Sequence, residues 1–254
     1  MKALAAEASK LASSPAVWIA TAAGVLVPGV IAAITASSAL GAITRGTEAN
    51  AAIDTGYQEL AFGVAGAIIL GVVGVSGEYV TESAEYGGGR QITTSLTVVP
   101  SRLRFLLAKM SAIAISSALL AITATVTTMG VVRVVLGEHA PAWGADDVPR
   151  LAGVVCYWMY TALLASAITV LTRHGVVPLA VLLANTSVVS VTYLLTKITP
   201  LANYLPDMAG IRMFIRKLAD STAEISPLTG GLVMTAWVTV LLVIAVISFT
   251  RRDA

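Results

Sequence analysis

The sequence predicts an all-α polytopic membrane protein. Six transmembrane helices are expected, with a short helix on the cytoplasmic side between the second and third and an interfacial segment on the outer side between the fifth and sixth. Three observations carry this. Of 254 residues, 57% are hydrophobic and 12% charged, about half the charged fraction of a water-soluble domain, and mean hydropathy is +0.85. Six apolar runs each approach the roughly 20 residues that a bilayer-spanning helix needs. None shows the period-2 alternation of a lipid-spanning strand, so helices remain the way to satisfy the backbone in lipid. A soluble enzyme and a disordered chain are thereby excluded, and one membrane domain over 1–254 is expected.

The first run, Pro15 to Ser38, follows Lys2 and Lys10 and precedes small residues, as a secretory signal would. It is longer than the 7 to 15 apolar residues of such signals, so a retained span is expected. The second, Leu60 to Ser76, places Gly63, Ala67 and Gly71 at i, i+4 and i+8, with Gly66 and Gly74 one face over. That flat side suits tight packing against the first span or a second copy. The third run is Met110 to Val132 and the fourth Leu151 to Leu171, joined through Arg173 and His174 to the fifth, Val176 to Thr196. The fifth is polar in its middle, with Asn185, Thr186, Ser187 and Ser190. An intramembrane Asn seeks an interhelical hydrogen bond or a water-lined surface. The sixth run is Leu228 to Phe249.

Charge favours cytoplasmic termini. That placement puts nine basic residues and five carboxylates inside, net +4, against seven and nine outside, net −2, in the sense of the positive-inside bias. The overall net charge of +2 offers no clustered basic face for nucleic acid. Cys156 has no partner for a disulfide, and one Cys with two His makes no zinc site. Catalytic patterns are missing, and Gly87-Gly88-Gly89-Arg90 lacks the Lys-Ser/Thr ending of a phosphate-cradling loop.

The inner connection after the second span is the informative stretch. Its three glycines break any descending helix. Ile92, Leu96 and Val99 then form a short apolar stripe at i, i+4 and i+7, and Pro100 ends it. Arg102, Arg104 and Lys109 are expected to snorkel to the inner headgroups. A small amphipathic helix at the inner membrane face results, either lying on lipid or docking a partner.

At these residues the chain resembles the permease subunits of ABC-2-type exporters, whose first cytoplasmic loop reads Glu-Tyr-x-x-Gly, a Thr/Ser/Leu-rich stretch, then Pro-x-Arg and a Lys opening span three. Glu85, Tyr86, Gly89, Leu96, Pro100, Arg102 and Lys109 stand at matching places, while Gly87-Gly88 departs from the polar residues common there. The resemblance extends over the whole chain through six spans, cytoplasmic termini and a short amino-terminal helix. It implies a coupling helix docked on a separate ATP-binding subunit, present in two copies, through Glu85, Tyr86, Arg90, Ile92, Leu96 and Arg102. It also implies a second permease copy or a similar permease, with the path between the two lined by spans two and five and carrying Glu59, Phe62, Asn185, Ser190 and Tyr193. ATP and Mg belong to the partner; no cofactor is expected in this chain, which is not an enzyme by itself. The outer run Met208 to Leu218 would form a re-entrant or interfacial lid. The expected location is the inner (plasma) membrane. A non-transporting membrane anchor or sensor, with the inner loop as a protein dock, is the alternative.

Overall fold

A computed structural model describes residues 2–48, 50–79, 101–186, 191–216 and 225–251. Nine α-helices and no strand are found among them: α1 (Lys2–Ser13), α2 (Pro15–Thr44), α3 (Tyr57–Ser76), α4 (Arg102–Leu136), α5 (Asp147–Thr172), α6 (Val176–Asn185), α7 (Val191–Thr196), α8 (Pro206–Ile211) and α9 (Pro227–Arg251). Five of them, α2, α3, α4, α5 and α9, are long and apolar enough to cross a membrane. The protein is thus an all-α, membrane-embedded bundle, and five of the six expected spans recur as long helices that run past their predicted ends into more polar residues.

The fifth expected span does not form one continuous helix. From Val176 the helix runs ten residues to Asn185, about half a bilayer at 1.5 Å per residue. Asn185 Oδ1 then accepts from the backbone N–H of Thr192 at 3.3 Å and from its hydroxyl at 3.0 Å. Residues seven apart in an unbroken helix are separated by about 10.5 Å of rise, so the chain leaves the helical path between them. Asn and Thr side chains compete for backbone groups, and the helix ends at Asn185 with Thr186 as its cap.

The ends of the long helices alternate, so that α1, the last turn of α3, the first turn of α4 and the last turn of α9 share one face, called here the terminal face. Arg102 Nη1 donates to the Phe249 carbonyl at 3.4 Å, and the Phe105 and Phe249 rings stack at 6.2 Å. The core runs through the middle of the bundle around α3, where Leu60, Val64, Ile68 and Val72 meet Ile113, Val154 and Trp158.

Close approach explains the glycines of α3. A Cβ on Gly66 would stand 2.6 Å from the Ala20 carbonyl oxygen of α2, and one on Gly63 would stand 2.8 Å from both Pro28 and the Trp158 ring. On the other side Gly71 lies on the Ala162 backbone of α5. Two polar bonds reinforce that second contact, Trp158 Nε1 to the Leu60 carbonyl at 3.2 Å and Ser166 Oγ to the Gly71 carbonyl at 3.1 Å. Of the stripe expected to pack on the first span or a second copy, Gly63 meets both α2 and α5 and Gly71 lies on α5, while Gly66, one face over, is the glycine that lies on the backbone of α2.

Candidate functional site

Among the described residues three polar clusters interrupt the apolar bundle, one at each end and one at half depth. At the terminal face, Lys109 of α4 is buried and donates to Glu7 of α1 at 2.5 Å, to Glu78 beyond α3 at 3.0 Å and to the Gly74 carbonyl at 3.1 Å. Lys10 of α1, more exposed, donates to Glu78 at 3.1 Å and lies 3.5 Å from Glu7. Two buried carboxylates and two ammonium groups thus close a neutral network. The expected snorkelling of Lys109 to headgroups is not what forms; the side chain turns inward because Glu7 and Glu78 stand on the elements packed against it. Burial works to lower the Lys10 pKa, but the hydrogen bond and charge of Glu78, with Glu7 adding, outweigh it and hold the ammonium above its ordinary value. A cavity of about 250 Å³, lined by Glu7, Lys10, Val17, Gly74, Glu78 and Lys109, opens beside the network.

The network grips both roots of the 80–101 connection. Of the residues expected to contact an ATPase, Glu85, Tyr86, Arg90, Ile92 and Leu96 lie outside the described residues. Arg102 opens α4, half-buried on the last turn of α9.

At the opposite face, Arg150 in the first turns of α5 is buried. Its Nε donates to the Phe214 carbonyl at 2.8 Å and its Nη1 to the Ile53 carbonyl at 3.2 Å, while Nη2 pairs with Asp54. The guanidinium stacks on the Tyr57 ring at 3.6 Å, and the Tyr57 hydroxyl donates to Asp147 at 3.0 Å. Asp54 also accepts from the Arg216 backbone N–H at 3.2 Å. One side chain therefore ties the α2–α3 connection, α3, α5 and the 212–216 segment together. A cavity of about 230 Å³ lies alongside, reaching Met129, Arg133 and Trp143.

In the third cluster the sequence marked Asn185 but not its partner. Gly175, just before α6, lies against Ser76 at the terminal end of α3. Asn185, the tenth residue of α6, can therefore stand no further than about 15 Å up a 20-residue, roughly 30 Å helix. Its Nδ2 donates to Asp207 Oδ2 at 2.7 Å, which fixes the Asp207 carboxylate at the same level. On the far side of the segment, Trp237 Nε1 donates to the Tyr204 carbonyl at 2.9 Å, ten residues into α9. The stretch from Pro200 to Ile211 thus descends into the bundle, with Met208, Ala209 and Gly210 buried. Of the run Met208 to Leu218, expected to form a re-entrant or interfacial lid, residues 208–216 are described: α8 ends at Ile211, and Phe214 and Ile215 are buried.

The residues expected on a path are spread in depth. Glu59 is buried in the first turn of α3, where Oε2 accepts from the Gly56 N–H at 2.7 Å and Oε1 from the Thr35 hydroxyl at 2.6 Å. It caps its own helix and ties it to α2. Phe62 is half-buried one turn along. Asn185 holds the break in the fifth expected span. Tyr193 is half-buried in α7 with the Lys197 ammonium 5.2 Å over its ring. Ser190 lies outside the described residues. Sequence reasoning missed Glu7, Glu78, Asp54, Arg150 and Asp207; the signal that could have found them is that charges bordering apolar runs occur with both signs on each face.

No protein-family model matches the chain, and no curated protein or solved structure matches it. Function is therefore argued from the chemistry of these clusters.

Proposed function

We propose that the chain is the permease subunit of an ABC-2-type exporter. On this reading it moves an amphipathic drug, peptide or lipid-like cargo out of the cytoplasm. A separate pair of subunits binds and hydrolyses ATP, and a second permease copy completes the path. The terminal face is then cytoplasmic, and the 80–101 connection carries the coupling helix.

One observation carries the reading. Lys109 joins α1 to both roots of that connection through Glu7 and Glu78, so displacement of the connection reaches α1, α3 and α4 as one body. Breaking a buried ion pair leaves an uncompensated charge and costs about 3–5 kcal/mol, so the roots move together instead of sliding past each other. A rigid joint at the base of a loop is what transmission of force requires. The half-length α6 and the descending Pro200–Ile211 stretch add support, because irregular backbone at membrane depth is tolerated where it lines a cavity or is covered by protein.

The test is purification of the tagged full-length chain from its own membrane. An ATP-binding subunit is expected to co-purify, and Glu85→Lys is expected to abolish the ATPase activity that depends on the permease while leaving the elution profile unchanged. A stable complex with no nucleotide-binding chain overturns the reading in favour of a membrane anchor or sensor. Wild-type ATPase activity in Glu85→Lys overturns the coupling assignment.

A further inference from the structure

The cavity beside the Arg150 cluster holds a cation that the cluster does not use. Three guanidinium groups line it, those of Arg133, Arg150 and Arg216. Arg150 is fully engaged by Asp54, by the Phe214 and Ile53 carbonyls and by the Tyr57 ring. Arg216 pairs with Asp146 at 3.0 Å. Asp147, the other carboxylate of the lining, accepts from the Tyr57 hydroxyl at 3.0 Å and from the Gly144 N–H at 2.8 Å, and stands 3.8 Å from Arg150. Arg133 differs. Among the described residues its one partner is the Trp143 ring, whose centroid lies 5.1 Å from the guanidinium. A ring contact satisfies the charge in part and leaves the N–H donors at the guanidinium edge open.

The position of the cavity in the fold decides what reaches it. α3 has 20 residues, roughly 30 Å at 1.5 Å per residue, which is the thickness of a bilayer's hydrocarbon core. Tyr57 at its head therefore marks a headgroup level. Tyr57 and Arg133 line the same cavity, and Arg133 is in the last turn of α4. Around it the surface is apolar: Ile53 and Trp143 of the lining are exposed, and Val134, next to Arg133, is 85% exposed. Trp at this level is characteristic of membrane–water interfaces, so the cavity opens on lipid headgroups.

The surroundings also select the charge of the ligand. Asp54 offsets Arg150 and Asp146 offsets Arg216, while both oxygens of Asp147 are held by the cavity wall. One uncommitted cation suits one negative charge. An arginine edge binds phosphate oxygens in pairs, and Met129 and Val132 in the lining offer apolar surface to a stem attached to that phosphate. A phosphodiester with acyl chains carries both features.

The geometry points to a phospholipid site at this cavity, in which Arg133 binds the headgroup phosphate and Trp143 positions Arg133. The site does not rest on the exporter reading and holds whichever face of the bundle is cytoplasmic.

The test is native mass spectrometry of the full-length chain, delipidated in detergent and titrated with a short-chain phosphatidylglycerol, with the diacylglycerol of the same chains, and with inorganic phosphate. The wild type is expected to retain the phosphatidylglycerol in preference to the diacylglycerol. Arg133→Gln is expected to weaken phosphatidylglycerol binding roughly tenfold or more, the scale of one charged partner lost. Arg45→Gln, at an exposed arginine on the same face, is expected to leave it unchanged. Equal retention of the two lipids by the wild type, unchanged binding by Arg133→Gln, or an equal loss in both variants overturns the site. Displacement of the lipid by inorganic phosphate at equal concentration assigns the cavity to the free ion and overturns the lipid. Should Arg133→Gln fail to fold, the wild-type comparison of the two lipids decides.

Discussion

Lys109 shows how much rests on a single side chain. Its ammonium is buried between Glu7 and Glu78, so Lys109→Met would leave two buried carboxylates sharing only the more exposed Lys10. A loss of about 3–5 kcal/mol is expected, read as a large drop in melting temperature in detergent. Replacing all three groups at once, by Lys109→Met with Glu7→Gln and Glu78→Gln, removes the stranded charges and is expected to recover most of that loss. A triple variant as unstable as the single one would show that the network stabilises through geometry and not through charge balance. The pH dependence has a definite sign. The Lys10 pKa is raised in the folded chain, so its contribution is fully present below the ordinary lysine value and disappears only as pH climbs through the raised one. Neutral and mildly acidic conditions leave the lysine half of the network intact.

At the scale of elements, α3 is the helix on which the bundle closes. Gly66 lies against backbone of α2, and backbone cannot rotate away as a side chain can, so Gly66→Ala already forces the two helices apart. A cost of about 1–3 kcal/mol is expected for this overpacking. Gly130 of α4 has open space, with nothing within 4 Å of the place a Cβ would take, so Gly130→Ala is expected to be neutral or to stabilise by about 0.5–1 kcal/mol. Thermal unfolding of both variants checks the pair, and equal effects would refute the packing account. The spacing of Gly63, Gly66 and Gly71 was legible in the sequence because small residues recur on the helical period. So were the long spans, because hydropathy summed over 20 residues outweighs any local exception. The break at Asn185 was not legible: nine apolar residues followed by Asn, Thr and Ser read the same whether the chain continues or turns. Nor was the descent of Pro200–Ile211, whose Pro residues and Asp207 resemble an exposed loop until Asn185 is seen to hold the carboxylate. Glu59 illustrates the remaining gap, since a lone acid at the head of an apolar run reads as a boundary or a path residue, and only the Gly56 and Thr35 bonds identify it as a cap.

For the whole molecule, the two end clusters hold different things and define a polarity. The terminal-face network grips the roots of the 80–101 connection, whereas the Arg150 cluster grips the exit of the descending segment through Phe214 and the Arg216 backbone. A push on the first face can reach the second only through the long helices, chiefly α3, which carries Glu78 beyond one end and Tyr57 at the other. That arrangement is useful to an exporter only if the terminal face is cytoplasmic, as the excess of basic residues there favours. Sidedness therefore decides whether the mechanical account applies. In a chain carrying Cys156→Ala, a thiol introduced at Thr94 is expected to react with a membrane-impermeant maleimide in inside-out vesicles and to stay unlabelled in intact cells. A thiol at Gly144, exposed in the connection on the opposite face, is expected to give the reverse pattern. Labelling of Thr94 from outside would put the connection beyond reach of any cytoplasmic ATPase and end the exporter reading.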